Sequence, residues 1–170
     1  MSLISISGFI ALITYIATLL PSNFTPVFPL ARKFKAIKLL AKYRREVGLI
    51  SFFFASIHST ITISHLNIDF LALETYTSYY SGIGTLIIFT LLAITSNRFS
   101  IRRLKRAWKI LHKFTYVAMF LLLIHIWNLM LGQWTILTGI GFNLLCSVTI
   151  FYLIRTYVNF RKKSLFKLTS

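Results

Sequence analysis

Residues 114–154 read FTYVAMFLLLIHIWNLMLGQWTILTGIGFNLLCSVTIFYLI, 41 residues without one formal charge. About 20 helical residues cross the ~30 Å hydrocarbon core of a bilayer, so this run is too long for a single span. Leu131-Gly132-Gln133 is its only polar, flexible break, and the run reads as a helical hairpin. Working outward, apolar stretches long enough to span lie at 3–20, 48–66, 78–96, 110–131 and 134–154. Lys113 is the only Asp, Glu, Lys or Arg inside them. The expected fold is all-α: an integral membrane bundle of about five transmembrane helices, one membrane domain over 1–170. All three prolines, Pro21, Pro26 and Pro29, follow the first apolar run. They are expected to end that helix and open an irregular connector, so that 1–31 forms an N-terminal span with its Pro-containing link.

Composition agrees. The chain is 56% hydrophobic and only 13% charged, whereas a soluble domain is about a quarter charged. Nineteen Lys and Arg against three acidic residues give a formal charge of +16, which first suggests nucleic acid. Placement excludes that partner, because the cations cluster at the ends of apolar runs and form no stripe on a soluble face. Residues 32–45 hold seven, 98–113 seven and 155–167 five, which accounts for all 19. Five spans put these segments on one side, with Asp69 and Glu74 opposite. The positive-inside rule then predicts an N-terminus outside and a C-terminus inside, as in a multi-pass protein of a bacterial inner membrane. Residues 36–42, AIKLLAK, are either an amphipathic helix on an anionic leaflet or a solvated loop. The lone Cys146 provides neither a disulfide framework nor a thiolate metal site. Residues 1–20 carry no basic n-region and no small-residue cleavage pattern, and read as a retained helix.

Four histidines carry the candidate chemistry: His58, His65, His112 and His125. Ionisable residues in spans are costly and usually face the bundle interior. Depth can be counted from the last basic residue before each span. His58 lies 13 residues past Arg45 and His125 12 past Lys113, so at 1.5 Å per residue the two differ in height by only about 1–2 Å. Two neutral imidazoles at one level on neighbouring helices suit the opposite faces of a haem b. His65, 20 residues past Arg45, reads as interfacial and structural. His112 sits at the inner edge among Arg102, Arg103, Lys105, Arg106 and Lys109, a position that suits haem propionates, a second haem or lipid headgroups. Gly48, Gly82, Gly84, Gly139 and Gly141 read first as close helix contacts and second as room for a macrocycle. Trp108, Trp127 and Trp134 read first as interfacial anchors.

These residues also carry a likeness. Arg44-Arg45-Glu46-Val47-Gly48-Leu49, Phe52-Phe53-Phe54 and His58 resemble the R-R-x-x-G-L-x-x-F-x-[YF]-x-x-x-H segment of the ferric-reductase-like transmembrane superfamily. Thr95-Ser96-Asn97, Arg102-Arg103-Leu104, Trp108, Leu111-His112, Tyr116 and the twelve residues between His112 and His125 are similar to its T-S-N, R-R-L, W-x-x-L-H-x-x-x-Y and H-x12-H pattern. The likeness covers 44–127, the expected haem-binding core, and within the superfamily it is to the haem-binding membrane subunits of bacterial methionine sulfoxide reductases. It implies that His58 and His125 ligate a haem nearer the outer face and that His112 serves a second, inner one. It further implies that Arg45, Arg103 and Trp108 contact cofactor. Electrons would enter from a flavoprotein (FMN) or quinone on the inner side and leave to an electron-accepting protein on the outer side. The residues alone leave two other classes open: a ferric or oxygen reductase with a separate flavoprotein, and a haem-free transporter or assembly factor. No Gly-rich phosphate loop follows a strand, so the electron donor is a separate molecule.

Overall fold

The computed structural model describes residues 3–66, 73–130 and 134–169, and among them it is helical without a strand. The long helices are α1 (Leu3–Val27), α3 (Arg44–Leu66), α4 (Leu73–Ile94), α7 (Phe114–Met130) and α8 (Ile136–Thr169). The short ones are α2 (Lys35–Lys42), α5 (Arg98–Leu104) and α6 (Arg106–Leu111). Four segments are long and apolar enough to cross a membrane: Leu3–Val27, Arg44–His65, Arg106–Met130 and Ile136–Arg161. Tyr79–Ile94 with Arg98–Leu104 makes a fifth candidate, bent by 95° at its break. The chain is a multi-pass integral membrane protein.

Contacts give the helix directions. His58 meets Ile4 and Gly8, and Ser51 meets Ala11, so α1 and α3 are antiparallel. Gly82 meets His125, and Thr95 meets His112, so α4 and α7 are antiparallel as well. Leu12 meets Gly141 and Phe24 packs on Phe151, so α8 runs parallel to α1. The directions alternate along the chain as five spans require. The proposed hairpin break and Asp69 lie outside the described residues, as does the side chain of Glu74, but Tyr116 stacked on Tyr152 and Trp127 against Phe142 show α7 and α8 antiparallel.

The core joins Leu12, Tyr15, Ile16 and Leu19 of α1 to Phe89 of α4, Ala118 and Met119 of α7, and Leu145 and Val148 of α8. Lipid is as apolar as leucine, so helix association rests on close packing and interhelical hydrogen bonds worth ~0.6 kcal/mol on average. Among the bonds that tie α1 into the bundle, Ser51 Oγ donates to the Ala11 carbonyl at 2.8 Å, and the Tyr15 hydroxyl donates to the Thr115 carbonyl. Ile87, Phe53 and Val117 stay exposed on the outside, where lipid is the solvent.

One expectation changes, one open alternative is decided, and one connector gains structure. The first helix does not stop at Pro21: α1 runs through Pro21 and Pro26 to Val27, and only Pro29 opens a different element, a 3-10 turn over Pro29–Lys33. Pro21 and Pro26 lack the N–H groups that would bond the Ala17 and Ser22 carbonyls, and in a bilayer the rest of the ladder holds because no water competes for its bonds. The first basic connector is an amphipathic helix, α2, and no loop; none of its residues is buried. The second is two short helices, α5 and α6, joined to α4 through the T-S-N triplet. Asn97 Oδ1 accepts from the Ser100 N–H at 2.7 Å as the N-cap of α5, while Asn97 Nδ2, Ser96 and Thr95 donate to carbonyls of Ile94, Leu92 and Leu91 at the end of α4. One triplet therefore closes one helix and starts the next. Lys105, at φ 46°, turns α5 into α6.

Candidate functional site

His58 and His125 line one cavity of about 160 Å³, drawn from α1, α3, α4 and α7. Its other walls are mostly apolar, including Leu12, Ile83, Leu86, Phe89, Leu122 and Ile126. His58 Nδ1 lies 2.9 Å from the Ile4 carbonyl oxygen. A carbonyl can only accept, so Nδ1 carries the proton and a neutral ring keeps its lone pair on Nε2. An orienting bond of this kind is what a metal-ligating imidazole needs.

Glycine sits behind each ring. A Cβ on Gly8 would lie 2.9 Å from His58 Nδ1, and one on Gly82 would lie 2.7 Å from His125 Cε1 and 2.8 Å from its Nδ1. Both distances are too short for carbon, so only glycine lets α1 and α4 seat the imidazoles. Gly8 was not legible as a site residue, because its role depends on a ring fifty positions away. Among the described residues His125 Nδ1 is buried without a hydrogen-bond partner, an arrangement that ordinarily costs about 1–3 kcal/mol and calls for an explanation beyond packing.

A bare metal ion does not suit this place. Among the described residues no group of three His, Cys, Asp or Glu side chains is gathered to hold one. Two imidazoles suit a metal that brings its own equatorial ligands, as a porphyrin does. To seat a macrocycle between the rings, side chains such as Leu86 and Ile126 must turn aside, because the cavity as formed is smaller than a haem.

A second cavity of about 1010 Å³ opens at the basic end of the bundle. His112, Arg45 and Trp108 line it, together with Arg44, Lys109, Lys113 and Arg155. The Trp108 and His112 rings lie 4.1 Å apart at 32°. Thr95 fixes both: its carbonyl accepts from Trp108 Nε1 at 3.0 Å, and its hydroxyl lies 3.4 Å from His112 Nε2. Arg103 is elsewhere, exposed on α5 with its guanidinium 5.8 Å from the Phe99 ring centre. Exposed His65 lines neither cavity. Phe89 borders both cavities, and its ring lies 5.0 Å from that of Tyr15.

Comparison with known proteins gives the family. Residues 7–123 match the family model described as ferric reductase like transmembrane component. The chain is 32% identical over 131 residues to proteins named protein-methionine-sulfoxide reductase heme-binding subunit MsrQ from Brucella ovis, Brucella canis and Brucella melitensis. In each case the match covers 74% of this chain and 59% of the relative, so the chain spans less than two thirds of those proteins. With α1, α3, α4 and most of α7 inside the matched residues, the chain belongs to the ferric-reductase-like transmembrane family.

Proposed function

We propose that this chain is a haem-binding membrane subunit that passes electrons across the bilayer. The observation that carries the reading is the convergence of His58 and His125, from two parallel helices, on one apolar cavity. His58 and His125 would hold the haem b, which when bound supplies reversible one-electron chemistry without an open site for oxygen. The Ile4 carbonyl holds the His58 proton on Nδ1 and so keeps Nε2 free to bind. Gly8 and Gly82 set how far each ring stands from its neighbouring helix, and the apolar walls keep water from the imidazoles.

The basic end is the cytoplasmic side, by the positive-inside rule, with the N-terminus outside and the C-terminus inside. There the cavity holding His112, Trp108 and Arg45 receives electrons from a flavoprotein or quinone, with His112 the candidate ligand of a second haem. The acceptor lies on the far side, and the names of the relatives point to a methionine sulfoxide reductase as its class.

The test is direct. Purified protein, expressed with ample haem, should give a low-spin Soret band that shifts on reduction, and pyridine haemochrome should report haem b. Colourless protein, or a band that survives both His58→Ala and His125→Ala, would overturn the proposal.

A further inference from the structure

The two imidazoles of the apolar cavity are not held alike. His58 Nδ1 lies 2.9 Å from the Ile4 carbonyl oxygen, a backbone acceptor that fixes its proton. His125 Nδ1 faces α4, since a Cβ on Gly82 would lie 2.8 Å from it, and among the described residues it has no partner. For a neutral His125 to offer Nε2 as a lone pair, Nδ1 must carry the proton, and that buried N–H needs an acceptor.

Ser81 stands next along α4. It is 1% exposed, and among the described residues its Oγ is buried without a hydrogen-bond partner. Elsewhere in the spans Ser56, Ser59, Thr62 and Thr85 each donate to the carbonyl four residues back. Gly82 touches His125 and Gly84 touches Leu121, so both glycines face α7. Successive helical residues advance about 100° round the axis, which places Ser81 inside the arc between them and so against α7. The pairs Gly82 with His125 and Thr95 with His112 keep one antiparallel register. That register sets Ser81 level with Ile126, next to His125. A buried oxygen and a buried ring nitrogen, both unpaired and neighbours in register, are two halves of one bond. Each alone carries a desolvation penalty, and pairing removes both. The serine needs only to turn between staggered wells to reach the ring.

We propose that Ser81 is the positioning residue of His125. Its hydroxyl accepts from Nδ1–H and leaves Nε2 free toward the cavity, as the Ile4 carbonyl does for His58. This deepens the haem reading above and rests on it. One orienting acceptor is backbone and survives every side-chain change, whereas the other can be removed by substitution.

The test uses the full chain with 15N-labelled histidine in detergent micelles. Without haem, NMR of the ring nitrogens should show the His125 proton on Nδ1. In Ser81→Ala that proton should shift largely to Nε2, while His58 keeps its own. With haem bound, Ser81→Ala should lower haem affinity about tenfold, as loss of a hydrogen bond behind a metal-ligating histidine does. The midpoint potential should rise, because a ligand without its acceptor is less basic and stabilises ferric iron less. Ser81→Thr, which keeps the hydroxyl, should restore both, and Thr85→Val should change neither. Should threonine overpack the contact with α7, Ser81→Cys, with a weaker acceptor, should fall between wild type and alanine. An unaltered tautomer and potential in Ser81→Ala would overturn the proposal, as would a shift that follows Thr85→Val instead. A colourless wild type would overturn the haem reading alone, with the tautomer measurement still deciding the role of Ser81.

Discussion

The cavity around His58 and His125 and the cavity at the basic end share Phe89 as a wall, yet they are lined by opposite chemistry. Among the described residues the first holds no lysine or arginine, its polar groups are two imidazoles with a few hydroxyls, and glycines back the rings. In the second, six Lys and Arg side chains gather beside His112. A neutral imidazole deep in a bilayer is tolerable only when desolvated without charge, whereas a guanidinium needs the water and headgroups of the interface. The membrane therefore sorts the two jobs by depth: positions for ligands that bind as neutral lone pairs lie deep, and positions that handle charge lie at the surface.

The largest expected effect is at the deep cavity. His58→Ala or His125→Ala should abolish haem binding, read from the Soret band, while helicity by circular dichroism stays near wild type. If His112→Ala also abolished the whole band, the contrast between the ends would fail. Next comes Gly82→Ala. Its new carbon would sit 2.7 Å from the His125 ring, and overpacking of this sort costs about 1–3 kcal/mol. Haem per chain should fall at least about fivefold by pyridine haemochrome, more than for Gly8→Ala, where the nearest atom is 2.9 Å away. Unchanged haem in both would mean that the rings are not seated by the glycines.

The smaller effects sharpen the other side. Asn97→Ala removes the N-cap of α5 and frees the 95° bend that carries Trp108 and His112 back beneath α4. It should cost about 1 kcal/mol, seen as a lower thermal midpoint in detergent, with the His58 and His125 spectrum little changed. Smallest is Lys105→Gly. The lysine holds φ 46°, a conformation that strains a residue with a side chain, so glycine there should stabilise by roughly 0.5–1 kcal/mol. A lower midpoint would show that the lysine side chain, rather than the turn, matters at that position.

Much of this was legible in the sequence, for identifiable reasons. Hydropathy and the three basic clusters foretold five alternating helices, because lipid leaves a chain few options. Counting from Arg45 and Lys113 anticipated that His58 and His125 meet at one level, since helical rise converts sequence distance into depth. The prolines misled, because the rule that they end helices is a rule for water; a chain in lipid keeps its remaining ladder bonds, having no water to take their place. Arg155 was legible as one more inner-side cation but not as the partner of Asn23 and Tyr116, which lie 132 and 39 residues away. No local pattern encodes a contact between α1, α7 and α8. The likeness to the family pointed to Arg103, which extends along α5 over Phe99 and lines neither cavity.

The bond from His58 to the Ile4 carbonyl has a consequence for biogenesis. The acceptor and Gly8 lie near the start of the chain, His58 in the third helix and His125 in the seventh. The ribosome therefore delivers one half of the clasp well before the other, and α1 and α3 can pair while His125 is still being made. Capture of the proposed haem would then be among the last events of maturation, and a slip of α1 by one turn, about 5.4 Å along its axis, would leave the first imidazole unoriented however well the remaining helices assembled.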